Sequence, residues 1–571
     1  MVAAEGVCEV SERLAPDGST IVALDDDMLT ETVRQFLARG PFDAIAVCLL
    51  HSYANPDHER RTAAAVQRMR PDLPVTCSCD VSPEFREFER ASTTALAAYV
   101  QPVITGYLNR LDARLGQSGF KGQFSIMQSN GGRMPAAGMA RNAIAALFSG
   151  PAAGVVGAIG VAARSGVKNI ITLDMGGTST DVSLIEDGRP TIAPQTTIDG
   201  LPVRTPVIDI ATVGAGGGSI AWVDDGGLLR VGPQSAGATP GPACYRRGGT
   251  LPTVTDAHLI RGTLQPGSFL GGTMDIDRQA AVGACAALGK SFDMSLEALA
   301  DSVIRIAESN IVRAIQQVST EQGLDPRDFT LVPFGGAGPL HAARVAEELG
   351  IKTIVVPSHA GVLSAAGLLM ADYVHYRART ERRRLNEAAL PEVKAILSSL
   401  ARDAIDYLDD VGVGGDRRVE YILEMRYVGQ AFELSVTLDD DLQALTFEGL
   451  FENFRSVHHR VFEFSKPPED PAEIVSYRVG VHVDVGAFPF QSGLTKQQSE
   501  SPPDREQSER RIDLVEGGRN ISCRLMTRDE VGAEAIGGAA LIEDGTSTIY
   551  VPPEWKCRCD QFGNLLMQRG E

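Results

Sequence analysis

Asp174 and Asp181 bracket the stretch Met175-Gly176-Gly177-Thr178-Ser179-Thr180. Two carboxylates, two adjacent glycines and three hydroxyls form a set suited to a phosphate and its counter-ion. Glycine lets the backbone come close to an anion, because no Cβ shields the amides. Successive N–H groups in such a turn form a concave positive nest. Thr178, Ser179 and Thr180 add hydroxyl donors, and Asp174 and Asp181 can hold Mg²⁺ through water, since that ion keeps much of its hydration shell. An ordinary tight hairpin also accepts Gly-Gly without any ligand, but it has no need of an acid at each end. The residue chemistry therefore points to nucleotide phosphates.

Such groups need a hairpin to position them. Residues 169–173 read as an apolar strand before the turn, and 182–185, closed by Asp187-Gly188, as the strand after it. A Walker loop does not fit, because it requires a Lys and a helix directly after the glycines. The pattern resembles the phosphate hairpins of the actin, sugar-kinase and heat-shock-chaperone ATPase superfamily, which implies an α/β chain with an RNase H-like fold. Two further parts of that machinery can be placed. Residues 149–157 read as a helix with Pro151 in its first turn. Residues 329–334 read as a strand, followed by Gly335-Gly336-Ala337-Gly338-Pro339-Leu340, a helix over 341–349 and a strand over 351–356. By the same resemblance Gly335, Gly336, Ala337 and Gly338 receive the adenosine of ATP. Such a turn is weak evidence alone; its place after the hairpin strengthens it.

Finer wording narrows the family. The segment 209–220 (Asp-Ile-Ala-Thr-Val-Gly-Ala-Gly-Gly-Gly-Ser-Ile), Val231-Gly232-Pro233-Gln234-Ser235-Ala236-Gly237-Ala238, Pro240-Gly241-Pro242-Ala243-Cys244-Tyr245, Pro252-Thr253-Val254-Thr255-Asp256-Ala257 and Met127-Gln128-Ser129-Asn130-Gly131-Gly132 together resemble the hydantoinase A / oxoprolinase family. The resemblance covers nearly the whole chain and is most specific over 127–370. It implies an ATP- and Mg²⁺-dependent subunit that opens a small cyclic amide, a hydantoin, 5-oxoproline or a related lactam, by phosphorylating the carbonyl oxygen. It also implies a separate hydantoinase B-type subunit as partner. A ketone carboxylase subunit using the same ATP apparatus, and a nucleotide-binding protein with little catalysis, are the alternatives. Within this reading Asp174 positions Mg²⁺ or the attacking group, Gly176 to Thr178 hold phosphates, and Asp181 supports the metal from the far side. Asp209 and the 214–219 loop are candidates for the γ-phosphate or substrate side, or simply a turn. Family members usually open with an Asp-x-Gly-Gly-Thr hairpin, and no such segment precedes residue 174. The resemblance thus implies an N-terminally truncated chain, or a start set too late, with half of a two-hairpin clamp missing.

The 571 residues are enough for several domains, and 53 basic against 73 acidic residues leave −20. That balance argues against nucleic acid or an anionic membrane as partner. The longest apolar run near the N-terminus, residues 44–50, is too short to cross a bilayer. Nine scattered cysteines point to a reduced, cytoplasmic protein. Cys77-x-Cys79 and Cys557-x-Cys559 lack the usual zinc spacing, and Cys244 reads as a buried thiol. The organisation expected is a remnant of the family's N-terminal region over 1–115, the ATPase-like domain over 116–370, an α/β region over 371–489, a Ser-, Gln- and Pro-rich linker over 490–511, and a small β-rich module over 512–571. A long helix over 301–322 carries the apolar stripe Val303, Ala307, Ile311, Ala314, Val318. The charged run 84–94 faces the cleft by family resemblance, or forms a solvated face. His458 and His459 read as packing residues on a helix.

Overall fold

The computed structural model describes residues 2–438, 441–467, 469–486 and 510–570. The linker expected over 490–511 lies outside these residues except for positions 510 and 511. The chain separates into two compact units, each assembled from several stretches. One takes Met1–Ala152, Ile192–Val207 and Ala371–Gly486; the other takes Ala153–Thr191, Ile208–Met370 and Ala487–Glu571. Both mix sheets with helices, the α/β class expected.

The second unit holds the hairpin. Ile170–Met175 and Thr180–Glu186 pair antiparallel, with Asp174 directly opposite Asp181. Both strands are buried on both faces, as their continuous Ile, Leu and Val content demands of strands inside a sheet. Ala211–Val213 adds antiparallel on one side, and Thr330–Phe334 adds parallel on the other, aligning Phe334 with Asp174. Thr353–Val356 follows in parallel. The sheet then continues antiparallel with Leu565–Arg569 and Trp555–Cys559.

Helix Gly338–Leu349 connects the parallel strands and starts three residues before the expected 341, with Pro339 in its first turn, where a missing N–H costs nothing. The long helix runs Leu296–Val318 rather than 301–322, because the Ser295 hydroxyl caps the N–H of Ala298 (3.2 Å). Its stripe is buried as expected: Val303, Ala307 and Ile311 are all below 2 % exposed. Within the segment expected to be β-rich, residues 555–569 form a hairpin. Asp560 Oδ1 accepts from the N–H groups of Phe562 and Asn564 (both 2.8 Å) and turns the chain between Trp555–Cys559 and Leu565–Arg569.

Helix Ser149–Arg164 is present. Its glycines serve packing: a Cβ on Gly154 would stand 2.6 Å from the Phe334 ring, and one on Gly157 2.9 Å from the Leu363 carbonyl oxygen. Helix Leu363–Met370 lies in that groove.

The first unit centres on a six-stranded sheet ordered Leu434–Leu438, Arg417–Tyr427, Ala472–Val483, Tyr373–Arg384, Arg133–Pro135, Ser125–Met127. Helices Leu390–Asp410 and Phe447–Phe462 complete its core through Val393, Leu397, Leu450 and Phe454. His458 is buried there, holding the Phe464 carbonyl oxygen (2.8 Å) and the Gln430 amide (3.1 Å), so its role is packing. The charged run 84–94 does not form a solvated face. Glu84 is paired with Arg204 (3.2 Å) and Arg478 (2.9 Å). Arg90 is fully buried and donates to the Leu49 carbonyl oxygen (2.9 Å) and Ser78 Oγ (2.8 Å).

Candidate active site

The turn of the hairpin is closed by the Gly176 N–H donating to the Ser179 carbonyl oxygen (3.2 Å). Among the described residues, the N–H groups of Gly177, Thr178 and Ser179 find no acceptor. Gly176, Gly177 and Thr178 are exposed, and a Cβ on either glycine would meet no protein atom within 4 Å. Nothing among the described residues requires glycine there, and the open space leaves the amides free for an approaching anion. The free amides and the open face fit a phosphate.

A second loop braces this turn from behind. The Gly217 and Gly218 N–H groups donate to the carbonyl oxygens of Gly176 (3.0 Å) and Gly177 (2.6 Å). A Cβ on Gly216 would stand 2.6 Å from the Thr178 carbonyl carbon. The signature segment 252–257 holds this brace in turn. The Thr255 N–H and hydroxyl both donate to the Gly217 carbonyl oxygen (2.8 Å each). Thr253 and Asp256 form a capping box on helix Val254–Arg261. Asp256 also accepts from the N–H groups of Ala243 (3.2 Å) and Cys244 (2.8 Å), pinning the Gly-Pro loop. Cys244 is buried, and burial, with the Asp256 carboxylate beside it, pushes its thiol far up. It is a packing thiol, as expected.

Asp174 and Asp181 face each other across the hairpin, and no basic side chain pairs with either among the described residues. Burial, reinforced by the Asp181 carboxylate, pushes the Asp174 carboxyl up to about 7. Burial also raises Asp181, against the effect of the Thr212 hydroxyl that donates to it (2.6 Å). Two half-buried carboxylates without a counter-charge fit a hydrated divalent cation.

Gly335 lies at φ +78°, a left-handed conformation suited to glycine, and a Cβ there would stand 2.6 Å from Asp174 Oδ1. The Ala337 N–H donates to the Met175 carbonyl oxygen (3.1 Å). Gly335 and Gly338 therefore press the loop against the strand carrying Asp174, whereas Gly336 and Ala337 face open space. That space is a cavity of about 220 Å³ lined by Gly176, Gly177, Gly217, Gly218, Gly336 and Ala337. Tyr245, Leu264, Phe269 and Leu340 supply apolar wall, and burial pushes the Tyr245 hydroxyl up to about 12.

The structure thus brings together both glycine segments read from sequence, on one cavity. Asp209 is not among its lining residues. Its carboxylate accepts from the Gln322 amide (3.3 Å), and its backbone bonds Thr191 (2.9 Å) and Ser183 (2.9 Å), so it fastens the chain beside the sheet. The aromatic wall of Tyr245 and Phe269 was not read from sequence; only the Gly-Pro wording around Tyr245 signalled that segment.

In the first unit, Glu59, Cys77 and Cys79 offer ligand atoms within 4.8 Å of one another. The Glu59 carboxylate already accepts from the Leu49 N–H (2.7 Å), Ser78 Oγ (2.6 Å) and the Cys79 N–H (2.9 Å), so it works as a chain fastener. All nine cysteines are free thiols. No helix among the described residues is long and apolar enough to cross a membrane.

A family model described as Hydantoinase/oxoprolinase matches residues 90–377, and one for the Hydantoinase/oxoprolinase N-terminal region matches residues 1–70. The second match removes support for the expected loss of the N-terminal hairpin region. The chain is 36 % identical to the caprolactamase subunit alpha of Pseudomonas jessenii over 98 % of its own length and 81 % of that protein's. It is 28 % identical to the acetone carboxylase beta subunit of Xanthobacter autotrophicus, over 95 % of this chain and 78 % of that one. For 5-oxoprolinase 1 of Arabidopsis thaliana the identity is 31 %, over 99 % of this chain but 46 % of the relative. Among solved structures, the ATP-dependent caprolactamase from Pseudomonas jessenii aligns with a TM-score of 0.87 at 34 % identity, covering 98 % of this chain and 82 % of that one. The nucleotide-free acetone carboxylase aligns with a TM-score of 0.72 at 26 % identity, covering 98 % and 81 %.

Proposed function

The chain belongs to the hydantoinase/oxoprolinase family, and on that premise we propose that it opens a cyclic amide at the expense of ATP, by phosphorylating the ring carbonyl oxygen. The carrying observation is the cavity that joins the open turn at Gly176 and Gly177 to Gly336 and Ala337, beside an Asp174 raised to about 7. The strand order 211–213, 180–186, 170–175, 330–334, 353–356, with the last three parallel, supports an RNase H-like ATPase fold of the actin and sugar-kinase kind.

Amide resonance makes a lactam carbon a poor electrophile. Attack of the ring oxygen on the γ-phosphorus, with cleavage of the bond to the ADP oxygen, turns that oxygen into part of a leaving group. Water then adds at the carbon, and the C–N bond breaks with a proton passing to the ring nitrogen, leaving an acyl phosphate; a second water hydrolyses that to the free carboxylate and phosphate. Phosphoryl transfer asks the protein mainly for positioning and charge neutralisation. The amides of Gly177, Thr178 and Ser179, with the hydroxyls of Thr178 and Ser179, orient the phosphates; Thr180 is held back by the Ala215 carbonyl oxygen. Asp174 and Asp181 would hold Mg²⁺ through water, and that ion would supply charge neutralisation. Gly336 and Ala337 receive the nucleoside. The proposal gives Asp209 no step.

Relatives named as subunits support a separate companion, which we take to be a hydantoinase B-type subunit. Free thiols throughout support a reducing, cytoplasmic setting. The likeness to acetone carboxylase supports ketone carboxylation as the second reading. Co-purified with its companion, the chain should release ADP in step with opening of caprolactam, 5-oxoproline or a hydantoin. ADP release that needs acetone and fixes labelled bicarbonate would select the carboxylase; no ADP release with any of them would remove both readings.

A further inference from the structure

One group of buried titratable side chains has no part in the proposed reaction, yet it reaches the cavity. His258 lines the cavity and is 3 % exposed; His341 is fully buried, and Glu308 is buried beside it. His258 Nε2 stands 3.1 Å from His341 Nε2, and Glu308 Oε1 stands 3.1 Å from His341 Nδ1. The Thr263 hydroxyl lies 2.8 Å from His258 Nδ1. These partners fix the tautomers. A carboxylate accepts, so His341 donates from Nδ1, and its Nε2 lone pair takes the His258 Nε2–H. His258 Nδ1 then accepts from Thr263, whose other acceptor is the His258 carbonyl oxygen (3.2 Å). Burial, with His341 and Arg261 beside it, pushes His258 well below its ordinary value and keeps that ring neutral. All four ring nitrogens are occupied, so His258 has none left to bond a ligand.

Their place in the fold gives the pair another task. Helix Val254–Arg261 carries His258 and, one turn earlier, the Thr255 that braces Gly217. Helix Gly338–Leu349 carries His341, follows directly on Gly336 and Ala337, and gives Leu340 to the cavity. The two helices are joined again one turn further along, where Arg261 and Arg344 share the Glu516 carboxylate. His258 and Arg261, like His341 and Arg344, are three residues apart and so share a helix face. The helices are therefore tied by two rungs, and the first belongs to the cavity together with Leu264 and Leu340. A fully satisfied polar network fixes one geometry where apolar side chains could slide. We propose that His258 and His341 are positioning residues, whose bond sets the spacing of these two helices around the nucleoside. The phosphate turn has its own support in the Gly217 and Gly218 amides. Loss of the rung should therefore weaken contacts to the nucleoside and spare those to the phosphates. This rests on the nucleotide reading above and adds to it two residues that shape its nucleoside end.

Calorimetric titration of the full chain with ADP and with magnesium pyrophosphate tests it. His258→Leu keeps an apolar bulk but drops the rung, and should lose at least about tenfold in ADP affinity. Its pyrophosphate affinity should stay within about twofold of wild type. His258→Gln, whose side-chain amide can still donate to His341, should return ADP affinity to within about threefold. Where His258→Leu does not fold, Thr263→Val carries the test: it removes the hydroxyl that fixes the His258 tautomer, and should show the same split at about threefold or more. Unchanged ADP affinity in the folded variant, an equal loss for pyrophosphate, or no recovery in His258→Gln would overturn the positioning role and leave nucleotide binding standing. Absence of ADP or pyrophosphate binding by the wild-type protein would remove both.

Discussion

In the proposed reaction Asp174 carries the chemistry, and its environment can be tested without substrate. Its carboxyl titrates at about 7 in the folded chain against an ordinary 3.8, because burial and Asp181 both oppose ionisation. Between those values the native state binds more protons than the unfolded one, so stability falls as pH rises. The contribution is fully present below about 3.8 and lost as pH passes through about 7, at about 1.4 kcal/mol per pKa unit. Asp174→Asn should therefore raise the melting temperature of the nucleotide-free protein by several degrees at pH 8 and leave it nearly unchanged at pH 4. The same variant should lose ATP turnover by about 100-fold or more, the scale of removing one preorganised electrostatic group. A melting temperature at pH 8 that does not move would mean the carboxylate is not held under strain. The pairing of Asp174 with Asp181 across the glycine turn was legible in the sequence because all of these residues are local. Asp209 was misplaced by the same logic: an acid before a glycine loop reads alike whether it faces a ligand or, as here, Gln322.

At the scale of elements, two sets of glycines that look equivalent in the sequence have different jobs. A Cβ on Gly177 would meet no protein atom within 4 Å, whereas Gly216 leaves no room for a Cβ against Thr178. Gly177→Ala should keep the wild-type melting temperature, as surface substitutions do within about 0.5 kcal/mol, and lose at least about tenfold in ADP affinity. Gly216→Ala should cost stability outright, about 1–3 kcal/mol for forced overpacking. Thermal melts monitored by circular dichroism and calorimetric titration separate the two. Wild-type ADP affinity in Gly177→Ala would mean that the turn amides are not the phosphate contact. The elements themselves were readable from periodicity and turn residues, including the hairpin, the glycine loop and the stripe Val303 to Val318. What escaped was set by a cap: Ser295 moves one helix start.

For the whole molecule, local patterns reach their limit. The cavity assembles Gly176, Tyr245, Phe269, Gly336 and Ser547, and no spacing rule connects residue 176 to 547. The buried pairing of Glu84 with Arg204 and Arg478 was hidden for the same reason; in one dimension a charged run looks like solvent-facing surface. Fold class and family were legible, because glycine-rich wording survives as a linear signature even where the contacts it makes are distant. The match over residues 1–70 finds the family's N-terminal region there and leaves the expected loss of its hairpin without support. The central claim is that the Asp174–Asp181 hairpin grips the phosphates while Gly336 and Ala337 hold the nucleoside. A crystal structure of the chain with ADP and Mg²⁺ tests this directly. Phosphate oxygens should lie about 3 Å from the Gly177 and Thr178 amide nitrogens, with Mg²⁺ bridged by water to Asp174. An ordered ADP elsewhere, with those amides contacting no phosphate, would contradict it.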